Sequence, residues 1–152
     1  MRQIAAIAFI AWLGTGNPHG QSTPTPVLPD VKVEKQPGCG CCELWARHMR
    51  TAGFKVTVTE AADVDAMKRK NGIPDNLRSC HTSVVGNYRV EGHVPVDVVK
   101  KMLAEKPAVA GIAVAGMPIG SPGMEAGSRV EPYNVVSFDA QGRQRIYASI
   151  SK

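Results

Sequence analysis

Three of the four cysteines in this chain lie within four residues, at Cys39, Cys41 and Cys42. The chain has 152 residues, of which 43% are hydrophobic and 20% are charged. A folded domain of this size buries roughly 70% of the surface that its unfolded chain exposes, so it needs no disulfide or metal for stability. The composition also excludes a fibre, a long coiled coil, a multi-span membrane protein and a wholly disordered chain. We therefore interpret the clustered thiols as functional groups rather than as structural cross-links.

The first 20 residues have the composition of a secretory signal peptide. Arg2 is followed by ten apolar residues, from 4 to 13, and by small residues at 14 to 16, which is typical of exported proteins. Ten apolar residues are too few to cross a bilayer as a helix, because a span needs about twenty. We predict that residues 1–20 are cleaved on export to the periplasm, at a site left open, and that the mature chain has no stable membrane insertion. A buried N-terminal helix is the alternative.

The basic residues do not predict a nucleic-acid surface. The chain has a formal net charge of +5, and its one run of three basic residues is Lys68, Arg69 and Lys70. No aromatic side chains alternate with them, so nothing in this run offers bases a stacking surface. We interpret the run as a solvated helix end and expect no nucleic-acid partner.

Hydrophobic periodicity predicts one α/β domain over residues 30–152, preceded by a proline-rich tether at 21–29. The predicted strands lie at 31–35, 54–59, 82–85, 88–90, 109–115, 135–138 and 145–150. The predicted helices lie at 41–52, with Cys42, Trp45, Ala46 and Met49 on the apolar face, at 64–71, and from Pro95 onward, with Val96, Val99 and Leu103 on the apolar face. A Gly-, Pro- and Met-rich surface loop is expected at 116–132, before a C-terminal hairpin. This order predicts a thioredoxin-like fold, with a small mixed sheet flanked by helices.

The cysteine run at the start of the first predicted helix has two interpretations. Cys39 and Cys42 form a Cys-x-x-Cys pair at a strand-to-helix turn, where the helix dipole stabilises a thiolate and a redox pair is expected. Cys39, Cys41 and Cys42 together resemble a soft-metal site, because thiolates favour Cu(I), zinc or iron–sulfur clusters over hard ions. Both interpretations remain open at this point.

Cys80 lies just before a predicted strand and is followed by His81. In a thioredoxin-like fold the turn before the third strand faces the redox turn, so Cys80 is expected to complete a cluster of four thiols. The alternative is two disulfides, since an exported protein with four cysteines allows three pairings. The two geometrically easier arrangements are Cys39–Cys42 with Cys41–Cys80, and Cys39–Cys41 with Cys42–Cys80.

Four further residues are secondary candidates for metal ligands: His81, His93, Met117 and Met124. Thioether and imidazole groups both bind copper, and thioethers persist where free thiols oxidise. The structural alternatives are that both methionines pack beneath the loop as gap-fillers and that His93 is a hydrogen-bonded turn residue.

Four separated motifs resemble one known family: Pro37-Gly-Cys-Gly-Cys-Cys42, Ser79-Cys-His-Thr82, Val90-Glu-Gly-His-Val-Pro95 and Gly116-Met-Pro-Ile-Gly-Ser-Pro-Gly-Met-Glu125. These are typical of bacterial periplasmic metal-binding proteins of the CopG copper-resistance type, long described as a domain of unknown function. The match runs from about residue 31 to the end. The resemblance implies a thioredoxin-like fold and copper ligation by Cys39, Cys41, Cys42 and Cys80, in a Cu(I)–sulfur centre that can be multinuclear. It leaves open whether the histidines and methionines are ligands.

Two functional hypotheses follow. In the first, the chain is a periplasmic copper-binding protein that sequesters Cu(I) or cycles it with Cu(II), with other periplasmic copper-handling proteins as partners. In the second, it is a thiol–disulfide oxidoreductase with Cys39 as nucleophile and Cys42 as resolving thiol. Cys41 between them counts against this second hypothesis, because a third thiol invites scrambled pairing. A structural zinc site of four cysteines is a third, weaker interpretation. Whether copper cycling is catalytic is left open.

Overall fold

The computed structural model describes residues 27–151. The predicted signal peptide and residues 21–26 of the predicted tether lie outside the described residues. Between residues 27 and 151 the chain forms seven strands, three α-helices and one short 3-10 helix, in the following order. They are β1 Val31–Lys35, α1 Gly40–Thr51, β2 Val56–Glu60, α2 Val64–Lys70, the 3-10 helix Asp75–Leu77, β3 His81–Val85, β4 Tyr88–Glu91, α3 Val96–Glu105, β5 Gly111–Ala113, β6 Tyr133–Phe138 and β7 Gln144–Ile150.

All seven strands of the described chain form one mixed sheet, in the order β2-β1-β3-β4-β5-β6-β7. The β1–β2 and β4–β5 pairs are parallel, and the other neighbours are antiparallel. The predicted α/β class and mixed sheet are confirmed. The predicted C-terminal hairpin, β6 and β7, is continuous with this sheet because β5 pairs with β6. No helix within residues 27–151 is long and apolar enough to cross a membrane.

The apolar face of α1 packs on the sheet as the periodicity predicts. Trp45, Ala46 and Met49 are fully buried, together with Val31 and Val33 of β1. The face of α3 is rotated from the prediction. Its buried residues are Val98, Val99 and Met102, whereas Val96 and Leu103 are only partly buried.

The boundaries of three strands differ from the predictions by two residues or more, and β6 begins at Tyr133 rather than at residue 135. The second strand begins at Val56 rather than at residue 54, although Phe54 is buried. The fifth strand covers only Gly111–Ala113 rather than 109–115, because its ladder with β4 spans only residues 89–91. Phe54 and Val114 are buried just outside the paired residues, so burial and pairing end at different residues.

Lys68 contradicts the prediction of a solvated helix end. Arg69 and Lys70 are exposed, but Lys68 is 2% exposed, and its Nζ lies 2.6 Å from Oε1 of Glu91. Lys68 lies on the face of α2 that packs against the sheet, next to the buried Met67. Three consecutive helical residues point in different directions, so a run of charges cannot share one environment.

We predict that Gly111→Ala destabilises the fold. An added Cβ would overlap the backbone of Arg89 and lie 2.7 Å from the ring of Phe138, and overpacking of this kind costs about 1–3 kcal/mol. Gly40→Ala is the control, because nothing lies within 4 Å of its added Cβ, and it should cost nothing and gain up to about 1 kcal/mol. Chemical denaturation measures both, and equal stabilities would contradict the close backbone approach at Gly111.

Candidate metal centre

The first three cysteines lie at the N-terminus of α1. Cys39 is the N-cap of the helix, and its Sγ accepts a hydrogen bond from the backbone N–H of Cys42 at 3.3 Å. Gly38 precedes it with a φ of +70°, a conformation that favours glycine. Because the N-terminus of a helix carries partial positive charge, this position favours anionic sulfur.

Cys80 lies directly before β3, the antiparallel neighbour of β1, and reaches the same point from that strand. Strands β1 and β3 are antiparallel with Lys35 opposite His81, and the N–H of Gln36 donates to the carbonyl of Cys80 at 3.3 Å. The sulfurs of Cys41 and Cys80 are 3.9 Å apart, and those of Cys39 and Cys41 are 3.5 Å apart. All four sulfur atoms lie within 4.8 Å of one another. The structure thus brings the four predicted thiols together, and we call Cys39, Cys41, Cys42 and Cys80 the thiol cluster.

The thiol cluster contains one disulfide, between Cys39 and Cys42, while Cys41 and Cys80 are free thiols. Of the two geometrically easier disulfide arrangements, the structure contains the Cys39–Cys42 bond of the first but not its Cys41–Cys80 bond. Addition of two electrons and two protons to this disulfide would give four thiols around one point. A soft metal ion held by all four sulfurs therefore requires the reduced chain.

His93 contacts the thiol cluster through Cys80. Its Nε2 lies 3.2 Å from the sulfur of Cys80, and its Nδ1 lies 2.9 Å from the carbonyl oxygen of Pro122. A carbonyl oxygen only accepts, so Nδ1 carries the hydrogen. Burial lowers the pKa of His93 below its ordinary value, which keeps the ring neutral and leaves Nε2 free to accept the S–H of Cys80.

Burial also keeps Cys80 and His81 in their neutral forms. It raises the pKa of the Cys80 thiol to about 11, with a further contribution from the nearby Cys41. It lowers the pKa of His81 well below its usual value, and His93 adds to that effect. The chemistry of this side of the cluster is therefore that of a neutral thiol beside neutral imidazoles.

His81 is fully buried, and neither of its ring nitrogens has a hydrogen-bond partner among the described residues. Its ring lies 4.7 Å from that of Trp45 and 5.1 Å from that of His93. A nitrogen of His81 lies within 4.8 Å of ligand atoms of Cys80 and His93. A buried polar atom without a partner costs about 1–3 kcal/mol, so this ring is a candidate for a ligand that the polypeptide itself does not supply.

The glycine-rich segment 116–132 packs against the cluster instead of lying wholly on the surface as predicted. Gly123 is buried with a φ of +87°, and an added Cβ would lie 2.6 Å from the carbonyl oxygen of Cys41. Met124 follows Gly123 and is partly buried, whereas Met117 is 52% exposed. The structure therefore places Met124 beside the contact with α1 and leaves Met117 largely in solvent.

Sequence reasoning missed the buried polar residues near Cys80, which include Thr82, Glu91 and Lys68, and their contact with the partly buried Ser79. The one available signal was Glu91, an acidic residue directly after the predicted strand at 88–90. His48 is about half exposed, and its Nε2 lies 2.7 Å from Oε1 of Glu125. Fold and site together define an α/β protein with a candidate thiol-rich metal centre.

Comparison with known proteins identifies the family. Two solved structures share the fold: "Copper resistance protein copG- Form 1", 42% identical with a TM-score of 0.77 and covering 82% of this chain and 99% of that chain, and "Copper resistance protein copG- Form 2", 41% identical with a TM-score of 0.77 and covering 81% and 98%. Residues 77–124 match a family described as "Protein of unknown function, DUF411". No curated protein sequence matches. The chain belongs to the CopG copper-resistance family, as its motifs predict.

We predict that Cys80 reacts with a small alkylating agent in a strongly pH-dependent way. The thiolate is the reactive form, and burial, the main cause of the raised pKa of about 11, persists in a Cys41→Ser chain. In that chain without reductant, the rate should rise about tenfold for each pH unit between about pH 7 and about pH 10. Mass spectrometry follows the reaction, and adding Cys80→Ser to that chain should abolish labelling, because Cys39 and Cys42 are joined in a disulfide. A rate that levels near pH 8.5, as for an ordinary thiol, would contradict the effect of burial.

We predict opposite stability changes for two neighbouring histidines in the metal-free chain. His81→Leu removes two buried nitrogens that lack partners, so stability should be unchanged or rise by up to about 1 kcal/mol. His93→Leu leaves the Pro122 carbonyl and the Cys80 thiol without their shared partner and should cost about 1–3 kcal/mol. Denaturant titration compares them, and an equal loss in both variants would show that His81 contributes to folding like any core residue.

Proposed function

We propose that this chain is a periplasmic copper-binding protein that contributes to copper resistance. The proposed ligands are the thiolates of the thiol cluster, Cys39, Cys41, Cys42 and Cys80. The observation that carries the proposal is the approach of four sulfur atoms within 4.8 Å of one another, in a member of a family whose relatives are named for copper resistance. The predicted signal peptide supports the periplasmic location.

The chemistry of the donor atoms favours Cu(I) as the cargo. Thiolates are soft ligands that favour Cu(I), zinc and iron–sulfur clusters over hard ions. Four sulfurs at these distances can be shared among several ions, so the proposal includes a multinuclear Cu(I)–sulfur centre. Three of the sulfurs lie at the N-terminus of α1, where partial positive charge offsets part of their mutual repulsion.

Imidazole groups beside the thiol cluster support cycling between Cu(I) and Cu(II). Nitrogen ligands suit Cu(II), whereas sulfur ligands suit Cu(I). His93 contacts Cys80, and His81 has unpartnered nitrogens nearby. We include both as secondary ligands. Met124, next to the contact of the loop with α1, is a better candidate for a thioether ligand than the exposed Met117.

We further propose that the architecture is thioredoxin-like. The element order β-α-β-α-β-β-α, from β1 to α3, supports this, as do the adjacent strands β2-β1-β3-β4. In such a fold the cysteines at the start of α1 and the turn before β3 form one site. Other periplasmic copper-handling proteins would then deliver or accept the ion.

The alternative function is that of a thiol–disulfide oxidoreductase, and the disulfide between Cys39 and Cys42 is the observation that favours it. Two features count against it. Cys39, the required nucleophile, is only 6% exposed, whereas reactive cysteines are accessible. Cys41 also lies 3.5 Å from the sulfur of Cys39, close enough to compete for any disulfide formed there. A structural zinc site would use the same four thiols. The experiment below distinguishes it from a copper site by the metal that the chain retains.

Copper binding by the reduced chain tests the proposal. We predict that chain purified and loaded anaerobically retains Cu(I) against a competing chelator, and that Cys80→Ser retains at least one Cu(I) fewer per chain or binds at least about tenfold more weakly, a difference of about 1.4 kcal/mol. His48→Gln is the control, because His48 lies on the same helix, nearly two turns after Cys42, but outside the cluster. Metal analysis and thiol titration provide the readouts.

Three results would contradict copper binding by the thiol cluster. The chain could lose all copper to the chelator, it could bind copper equally well with Cys80→Ser, or it could retain zinc in preference to copper. Loss of copper together with reduction of insulin disulfides, abolished by Cys39→Ser, would favour the oxidoreductase. Retention of zinc together with unfolding on its removal would favour the structural zinc site.

A further inference from the structure

We propose that Glu91 and Lys68 form a buried ion pair that positions Cys80 within the thiol cluster. The metal that Cys80 would bind rests on the proposed function, but the positioning itself is tested below without any metal. Neither residue touches a sulfur atom in the contacts described, so both would act through the chain on either side of Cys80.

The carboxylate of Glu91 holds the polypeptide before and after Cys80. Its Oε1 accepts the backbone N–H of Ser79 at 2.7 Å, and its Oε2 accepts the hydroxyl of Thr82 at 2.5 Å. Ser79 directly precedes Cys80, and Thr82 directly follows His81. One side chain therefore fixes both ends of the dipeptide that brings Cys80 and His81 to the site.

Lys68, in α2, pairs with the carboxylate of Glu91 at the end of β4. Its Nζ lies 2.6 Å from Oε1 of Glu91 and 3.3 Å from the hydroxyl of Thr82. Lys68 is 2% exposed and Glu91 is 0% exposed. The pair thus links α2 to the end of β4 and the start of β3, next to Cys80.

The same contacts extend to the glycine-rich segment. The hydroxyl of Ser79 donates to the carbonyl of Gly116 and lies 3.9 Å from the sulfur of Cys80. Gly116 begins the segment whose Pro122 carbonyl fixes the ring of His93. Gly92, between Glu91 and His93, donates its N–H to the carbonyl of His81 at 3.0 Å. Glu91 is therefore connected by hydrogen bonds or by the chain to each donor on this side of the cluster.

Stability alone does not explain why this pair is charged. Removing two charges from water is expensive, and a well-packed apolar pair of similar volume is often as stable or more stable. An apolar pair, however, cannot accept hydrogen bonds from Ser79 and Thr82. The directional contacts are what the charged pair adds, which is why we assign it a positioning role.

The test measures the placement of Cys80 by its reaction with Cys41. In full-length chain with Cys39→Ser and Cys42→Ser, the two remaining sulfurs are those that lie 3.9 Å apart. Diamide takes up two electrons and two protons as these thiols join in a disulfide. We expect Lys68→Met with Glu91→Leu to slow this reaction by about tenfold or more, because small misplacements of reacting groups have effects of this size. Circular dichroism and thermal unfolding check that the variant is folded.

Two further variants separate positioning from charge. Lys68→Met with Glu91→Gln keeps an acceptor for Ser79 and a polar contact to Thr82 without the charges, so it should restore most of the rate. The exposed pair Lys101–Glu105, at 2.7 Å, supplies the control: Lys101→Met with Glu105→Leu should leave the rate unchanged.

The outcomes decide the proposal in each case. A folded leucine variant that reacts at the parental rate overturns it, and so does a folded glutamine variant as slow as the leucine variant. If the leucine variant does not fold, Thr82→Val decides, since it removes one hydroxyl contact at nearly constant volume: a slower reaction supports positioning and the parental rate overturns it. Failure of the parental chain to bind copper would overturn the proposed function and leave the positioning result intact.

Discussion

The antiparallel pairing of β1 with β3 is the constraint on which the site depends. It places Lys35, the last residue of β1, opposite His81, the first residue of β3. The chain leaving β1 and the chain entering β3 therefore meet at the same end of these two strands. The first continues into the N-terminus of α1 with three cysteines, and the second contributes the fourth. A shift of this register would move Cys80 along the strand direction by about 3.4 Å for each residue. Backbone hydrogen bonds between β1 and β3 thus bring Cys80 to the other three cysteines.

Burial then determines the protonation states of the groups around Cys80. The thiol of Cys80 and the rings of His81 and His93 are removed from water, and burial shifts the pKa of each toward its neutral form. A neutral imidazole can bind a metal ion through its free lone pair, and a thiol can bind one once its proton is released. The unpartnered nitrogens of His81 are the clearest sign that the metal-free chain is incomplete in its own hydrogen bonding.

Local pattern predicts most of the fold and part of the site. The strand at 31–35, the helix at 64–71 and the strands at 82–85 and 88–90 each depend on nearby residues, and the corresponding elements agree within one residue. The approach of Cys80 to the cysteine run was predictable from topology. The burial of Lys68 was not, because it depends on Glu91 in a distant strand. Nor did any local signal show that the glycine-rich segment would pack on α1 through Gly123. Tertiary partners decide such features, and one sequence does not reveal them.

X-ray absorption spectroscopy at the copper K edge tests directly whether four thiols of this chain form one copper centre. For the reduced, copper-loaded chain we expect an edge typical of Cu(I) and nearest neighbours that are mainly sulfur, with fewer sulfur neighbours in Cys80→Ser. A shell of nitrogen and oxygen alone would overturn the four-thiol centre, and so would a spectrum that is identical in the wild-type chain and in Cys80→Ser.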